Sequence, residues 1–302
     1  MKFGLQVHSF TWPDGPQAIG PTMARVVRSA DDAGFDSIWV MDHFWQIGAA
    51  GSETQPMLEG WTALGFMAAH TQRARLGLMV GGVHYRNPGL WVKAATTLDV
   101  LSGGRAWLGL GAGWNRAESV GLGFPFPEIK TRFEMLEDTL EIAQHMFEGE
   151  RGTESSFEGR QFTAERLLNV PQSISRPRVP IMIGGGGEKK TLRLVARYAD
   201  ASNLFGDPDV LRHKYRILAE HCESVGRPYD EIERTTLQSV SLFAPNAWRQ
   251  TPETADQLVD RFGRLGAAGV QHVIINTADV HDPDAIALLA TEVMPQLAEP
   301  GS

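Results

Sequence analysis

A closed (β/α)8 TIM barrel of the α/β class is the fold the sequence predicts, and three observations predict it. Short apolar or β-branched runs alternate about eight times with segments whose apolar residues recur at helical spacing. Connections are short, and neither a linker nor a compositional break divides the 302 residues. Polar and aromatic residues gather just after the strands, which in such a barrel is a single face. An open doubly wound sheet is the alternative, but it normally needs fewer units. The expectation is one domain over residues 1–302, with an insertion at roughly 150–178.

Each element has its own local signal. Phe3–Val7 is the first strand, and a helix carrying Met23, Val26, Ala30 and Ala33 follows, stopped by Gly34. Ser37–Met41 is the second strand, and a helix over Trp61–Thr71 leads to the third, Arg75–Val80. Pro88 opens a helix with Trp91, Ala94, Ala95 and Leu98 on one face, closed by Gly103 and Gly104. The fourth strand, Ala106–Leu110, enters Gly111-Ala112-Gly113, and a loop with Pro and Phe precedes a long helix over Thr131–Phe147. Phe157–Phe162 reads as a small hairpin inserted before the fifth strand, Pro180–Ile183. The sixth strand is Asp200–Leu204, the seventh lies near Thr235–Phe243, and the eighth is His272–Ile275. Three late helices should start at Asp207-Pro208, Thr251-Pro252 and Asp282-Pro283, a capping residue followed by Pro.

Composition narrows the function. A hydrophobic content of 42% with 21% charged residues supports a sizeable core. The net charge of −8, with no block of Lys and Arg, argues against a nucleic-acid partner. The one cysteine, Cys222, sits in a helical pattern with Leu211, Tyr215 and Leu218, so it reads as packing. No signal peptide and no apolar run of membrane-spanning length is present, and a cytoplasmic protein is expected.

The stretch PIMIGGGGEKK, 180–190, carries the sharpest chemical signal. A strand runs into Gly184, Gly185, Gly186 and Gly187, and a helix pattern follows from Glu188 to Arg197. Unpaired N–H groups at a helix start, the helix dipole and side-chain-free backbone make a seat for a phosphate. Lys189, Lys190 and Arg193 add positive charge beside it. A flexible glycine turn without a ligand is the alternative reading.

Other strand ends supply the remaining candidates. His8 follows the first strand; Asp42, His43 and Trp45 follow the second; Gly81 and Gly82 follow the third. Gly111, Gly113, Trp114, Asn115 and Glu118 follow the fourth, and Asn203 and Phe205 the sixth. His43 suits proton transfer, because an unperturbed imidazole titrates near neutrality. Trp45 could stack on a flat ring, or only cover the barrel mouth. Asp42 could accept a hydrogen bond from a bound ring, or only cap its turn. His8 is followed by Ser9 and Phe10, so the paired histidines of hydrolytic metal barrels are missing and no metal is expected. Gly109-Leu-Gly-Ala-Gly-Trp114 has no glycine or alanine where Trp114 stands, so a dinucleotide fold is a weak reading. The glycines fit better as a close approach to a bulky planar ligand.

In order and spacing these segments resemble the luciferase-like monooxygenase superfamily, and within it the branch dependent on the deazaflavin F420. The resemblance rests on Gly34-Phe-Asp-Ser-Ile-Trp39 leading to Asp42-His43, on Tyr85-Arg-Asn-Pro88, and on Leu101-Ser-Gly-Gly-Arg105. Leu108–Trp114, 180–190 and Ala196-Arg-Tyr-Ala-Asp200 complete it. It implies a barrel with an insertion after the fourth strand and a cofactor ring near Asp42 and His43. It also implies a non-proline cis peptide at Met79-Val80, with Val80 and Gly81 behind the ring, and the cofactor phosphate on Gly184–Gly187. A relative's catalytic glutamate for sugar-phosphate oxidation would fall where Trp114 stands, so a more apolar substrate is expected, walled by Trp45, Trp114, Phe205 and Phe124. An F420-dependent hydride transfer with His43 moving the proton is the leading expectation, and a homodimer is implied with it. FMN with oxygen is the alternative cofactor, and a non-catalytic flavin or deazaflavin carrier is a third reading. An acidic F420 tail would favour a basic exit groove, for which Lys189, Lys190 and Arg178 are candidates.

Overall fold

In the computed structural model, which describes residues 1–245 and 249–297, eight parallel strands close into a barrel. They are β1 (Lys2–Val7), β2 (Ser37–Val40), β3 (Arg75–Leu78), β4 (Ala106–Gly111), β5 (Ile181–Gly184), β6 (Ala201–Leu204), β7 (Glu233–Ser239) and β8 (His272–Asn276). Each pairs with its sequence neighbours, and β8 returns to β1 with Lys2 opposite His272. Beyond β3 the chain bulges at Met79 and Val80, across a cis peptide, and Gly81–Gly82 rejoins β4 opposite Leu110 and Gly111. The strand order is therefore as expected, with boundaries moved by one or two residues at most strands and further at the seventh. The seventh strand starts at Glu233 and ends at Ser239, short of Phe243.

The helices are α1 (Pro16–Asp32), α2 (Gly60–Ala68), α3 (Pro88–Ser102), α4 (Arg116–Gly121), α5 (Ile129–Phe147), α6 (Thr191–Tyr198), α7 (Pro208–Val225), α8 (Ala255–Ala267) and α9 (Pro283–Leu288). Asp207 and Asp282 cap α7 and α9 as the Asp-Pro pairs predict. Thr251-Pro252 does not open α8. Thr254 does, through a capping box in which its hydroxyl takes the Gln257 N–H while the Gln257 side chain takes the Thr254 N–H. The predicted loop after β4 contains α4, which the sequence reading missed. The inserted hairpin pairs Phe157–Glu158 with Thr163–Ala164.

Two apolar layers hold the barrel. One lies between strands and helices. The other plugs the barrel interior with Trp39, Trp107, Met182, Ala201 and Ile274. Gly77 makes room for this plug, because a Cβ there would lie 2.6 Å from the Trp39 ring. Trp107, Met182 and Ala201 come from the first halves of their strands, whereas Met79, also in this cluster, lies beyond the end of β3 at the mouth. Among the described residues no helix is long and apolar enough to cross a membrane.

Candidate active site

A cavity of about 580 Å³ opens at the C-terminal mouth of the barrel. Its apolar walls include Met79, Val80, Trp114, Phe133, Phe205 and Leu237. Gln6, Asn203, Ser239 and Asn276, at the ends of β1, β6, β7 and β8, form a polar side. Asn276 donates to Gln6 Oε1 at 3.1 Å, and Asn203 donates to Thr235 Oγ1 at 2.8 Å. No Lys, Arg, Asp or Glu is among the described lining residues, and His43 is their one imidazole.

His43 and Asp42 leave β2 on opposite sides, as neighbours on an extended chain must. His43 lines the cavity, whereas Asp42 is buried behind it. Asp42 Oδ2 accepts the Gly82 N–H at 3.0 Å and Arg86 Nη1–H at 2.9 Å, and Arg86 Nη2 lies 2.9 Å from Oδ1 as an ion pair. Burial pushes the Asp42 carboxyl up to about 6, against the pull of Arg86. Asp42 thus fastens the bulge that presents Val80. It is not the group that holds the His43 imidazole.

That task falls to Glu118, which is fully buried on α4. One carboxylate oxygen accepts His43 Nδ1–H at 2.8 Å and the Tyr85 hydroxyl at 2.5 Å. The other accepts the backbone N–H groups of Phe44 at 2.5 Å and Trp45 at 2.7 Å. Burial would raise the Glu118 carboxyl, but these donors outweigh it and hold the group below the usual carboxylate range. An ionised Glu118 fixes the imidazole with its proton on Nδ1, which leaves Nε2 as the nitrogen free to meet a ligand. The Trp114 ring stands edge-on to the imidazole, with centroids 5.5 Å apart.

The cavity gathers His43, Met79, Val80, Gly81, Gly111, Gly113, Trp114, Gly184, Gly185 and Phe205. Other candidates fall outside its lining. His8 is buried, its carbonyl holding the Gln46 side chain, and burial takes its imidazole down to about 4. The Trp45 ring packs on α4, where a Cβ on Gly121 would come within 2.3 Å of it. Phe124 stacks on Phe44 with centroids 5.1 Å apart. The Asn115 side chain caps α4 at the Glu118 N–H, 3.3 Å away. Gly186 and Gly187 lie beyond the lining on the outer part of their loop, and Lys189 is exposed on the turn before α6. Arg178 precedes β5 and so lies at the opposite end of the barrel, paired with Asp200. It cannot serve an exit groove at the mouth.

The strand-end glycines have a second cause beside the one expected. A Cβ on Gly109 would lie 2.0 Å from the Leu78 carbonyl oxygen, and one on Gly184 would lie 2.7 Å from the Val80 side chain. These glycines admit the bulge of β3, and Gly184 lines the cavity as well. Gly185 also lines the cavity, with φ 121°, where an L side chain is strained. Beside it, Thr191 at the start of α6 also lines the cavity. Lys190 places its ammonium 5.3 Å from the ring of Phe133, and Lys214, missed in the sequence, holds Glu188 at 2.6 Å.

The profile of the luciferase-like monooxygenases matches residues 1–291. The chain belongs to this family. Among relatives in sequence, the F420-dependent glucose-6-phosphate dehydrogenase of Nakamurella multipartita is 31% identical over 243 residues, 77% of this chain and 67% of its own. Two solved structures share the luciferase-like fold across nearly all of both chains. The F420-dependent secondary alcohol dehydrogenase in complex with an F420-acetone adduct matches with TM-score 0.82 at 18% identity, covering 99% of each chain. The coenzyme F420-dependent tetrahydromethanopterin reductase of Methanopyrus kandleri matches with TM-score 0.80 at 19% identity, covering 98% of this chain and 99% of its own.

Proposed function

We propose that the protein is an F420-dependent oxidoreductase that exchanges a hydride with an uncharged, largely apolar organic substrate. The observation that carries the reading is His43, locked through Nδ1 onto Glu118 with its other nitrogen left for the cavity. The name of the sequence relative supports F420 over FMN. The cavity suits a flat ring: Val80 offers an apolar face, Gly185 keeps one wall free of Cβ, and Thr191 opens α6 toward a phosphate. The deazaflavin, when bound, supplies the carbon that gives or takes the hydride.

The chain's own residues handle the proton and the surroundings. His43 Nε2 takes a proton from a substrate hydroxyl as hydride leaves, or returns one in the reverse direction. Glu118 holds the ring in that tautomer and balances the imidazolium charge. Trp114 and Phe205 wall the mouth with apolar surface. The relative's phosphorylated sugar would bring a dianion into a cavity whose described lining has no cationic side chain. An uncharged alcohol, ketone or activated alkene meets no such cost.

Apoprotein titrated with F420 and with FMN, followed by fluorescence, tests the reading. F420 should bind with micromolar or tighter affinity, and reduced F420 should then be consumed by a member of an apolar carbonyl or alkene panel. Tight FMN binding without F420 binding would overturn it.

A further inference from the structure

We propose that Tyr85 is a positioning residue of this site, dividing one carboxylate oxygen of Glu118 with His43 and so governing how firmly the imidazole holds its proton. The proposal rests on His43 being the proton-moving group of the function proposed above.

Tyr85 Oη and His43 Nδ1 donate to the same atom, Glu118 Oε2, at 2.5 and 2.8 Å. Oε1 is filled by two backbone amides. A buried carboxylate facing an imidazole alone would give its whole charge to the imidazolium and resist deprotonation. With three further donors, that charge is spread. The imidazole can then both accept and release a proton during turnover.

The hydroxyl is itself held in place. The Tyr85 ring is clamped edge-on by Phe44 and Phe124, each with centroids 5.2 Å away. Ser119 Oγ lies 3.5 Å from Tyr85 Oη and 2.8 Å from His84 Nε2, and it donates to the Asn115 carbonyl at 2.7 Å. Burial and the nearby Arg132 take the His84 imidazole down to about 4, so it stays neutral and brings no competing charge. The other charges near His43 are accounted for. Asp42 is neutralised by Arg86, and Arg132 donates to the Gly113 carbonyl at 2.6 Å. Glu118 is therefore the charge that His43 feels most directly, and the Tyr85 hydroxyl is the one side-chain competitor for it.

Tyr85→Phe removes a single oxygen and keeps the packed ring. The test is an NMR pH titration of histidine-labelled protein without cofactor, with the His43 signals assigned from their loss in His43→Asn. In Tyr85→Phe the His43 midpoint should rise by about half a unit to one unit relative to the unsubstituted protein, because the freed oxygen binds the imidazolium more strongly. In Glu118→Gln the midpoint should fall. A midpoint within about 0.2 unit of the unsubstituted value in Tyr85→Phe, or a fall, overturns the proposal. If Tyr85→Phe does not fold, protein made with 3-fluorotyrosine, whose more acidic hydroxyl donates more strongly to Glu118, should show a lower His43 midpoint; no movement overturns the proposal equally. F420 binding by the unsubstituted protein is measured separately, so failure of the cofactor reading and failure of this one are told apart.

Discussion

The barrel carries a glutamate–histidine pair at each end, and the two do different things. At the closed end, His272 Nδ1–H meets Glu233 at 3.0 Å and Nε2 meets the Ser37 hydroxyl at 3.0 Å. Ser37 in turn accepts the Trp39 indole N–H at 2.6 Å, and Lys2 neutralises Glu233 from 3.3 Å. Both ring nitrogens of His272 are engaged, and neither His272 nor Glu233 lines the cavity at the mouth. At the open end, His43 has the same carboxylate on Nδ1, but its second nitrogen is left for the 580 Å³ cavity. A carboxylate-bound imidazole is a clamp when both nitrogens are spoken for. It is a proton carrier when one faces space that a substrate can enter.

Single substitutions should separate the two pairs. The largest effect is expected for His43→Ala, which should lower turnover by about 10²–10⁴-fold while F420 affinity and thermal stability barely change. His272→Ala should do the reverse. It leaves Glu233 and Ser37 buried without their partner and should cost about 2–4 kcal/mol of folding free energy in denaturant titrations. Its activity per folded molecule should match that of the unsubstituted protein. If His272→Ala loses turnover and keeps stability, the distinction drawn between the two ends is wrong.

A smaller effect reaches the closed end through backbone. Gly4 leaves space for the chain there, since a Cβ would lie 2.4 Å from Ser37 Oγ and 2.9 Å from His272 Nε2. Gly4→Ala should destabilise by about 1–3 kcal/mol through that crowding, and leave the pH profile of turnover unmoved. Acid should find the same weak point. Burial opposes ionisation of Glu233, but His272 and Lys2 prevail and take its carboxyl from 4.5 to about 2. A carboxyl depressed in the folded state contributes stability above its unfolded value and loses it as pH falls. The contribution, at most about 3 kcal/mol, should disappear between pH 4.5 and about 2. Glu233→Gln should flatten the stability curve over that window, and an unchanged slope would show that Glu233 is not the group responsible.

Which pair was legible in the sequence follows from the fold. Once strands could be counted, residues after a strand end faced the mouth and residues at a strand start did not. His43 was therefore selected and His272 was not. The βα rhythm, the Asp-Pro caps and the hairpin at 157–164 were equally readable, because each rests on local periodicity or local capping. Glu118 was harder. It lies on a six-residue helix, too short to show a periodic face, although Asn115 followed three residues later by Glu118 has the spacing of a capping motif. Gln6 and Asn276 were missed because a polar residue inside a short apolar strand does not announce which way it points. The glycines had a cause the sequence could not show: a close approach can be to the protein's own chain as easily as to a ligand, and Leu78 and Val80 approach Gly109 and Gly184 here.

The finest distinction concerns the rim of the open end. Trp114 lines the cavity and stands edge-on to His43, yet 64% of its surface is exposed. Removing so exposed a ring should change stability by no more than about 0.5 kcal/mol. Its loss leaves the Nδ1–Glu118 bond untouched, so the proton step should survive and kcat should hold. What goes is apolar wall, worth about 1–2 kcal/mol to a substrate that touches it, so Trp114→Ala should raise KM by about 5–30-fold. Leu101→Ala is the matching control, because Leu101 is 76% exposed and does not line the cavity. It should alter neither constant. Should Trp114→Ala lower kcat and leave KM alone, the indole would be holding the imidazole rather than walling the substrate, and it would join Glu118 and Tyr85 as a third positioning group for His43 at the open end.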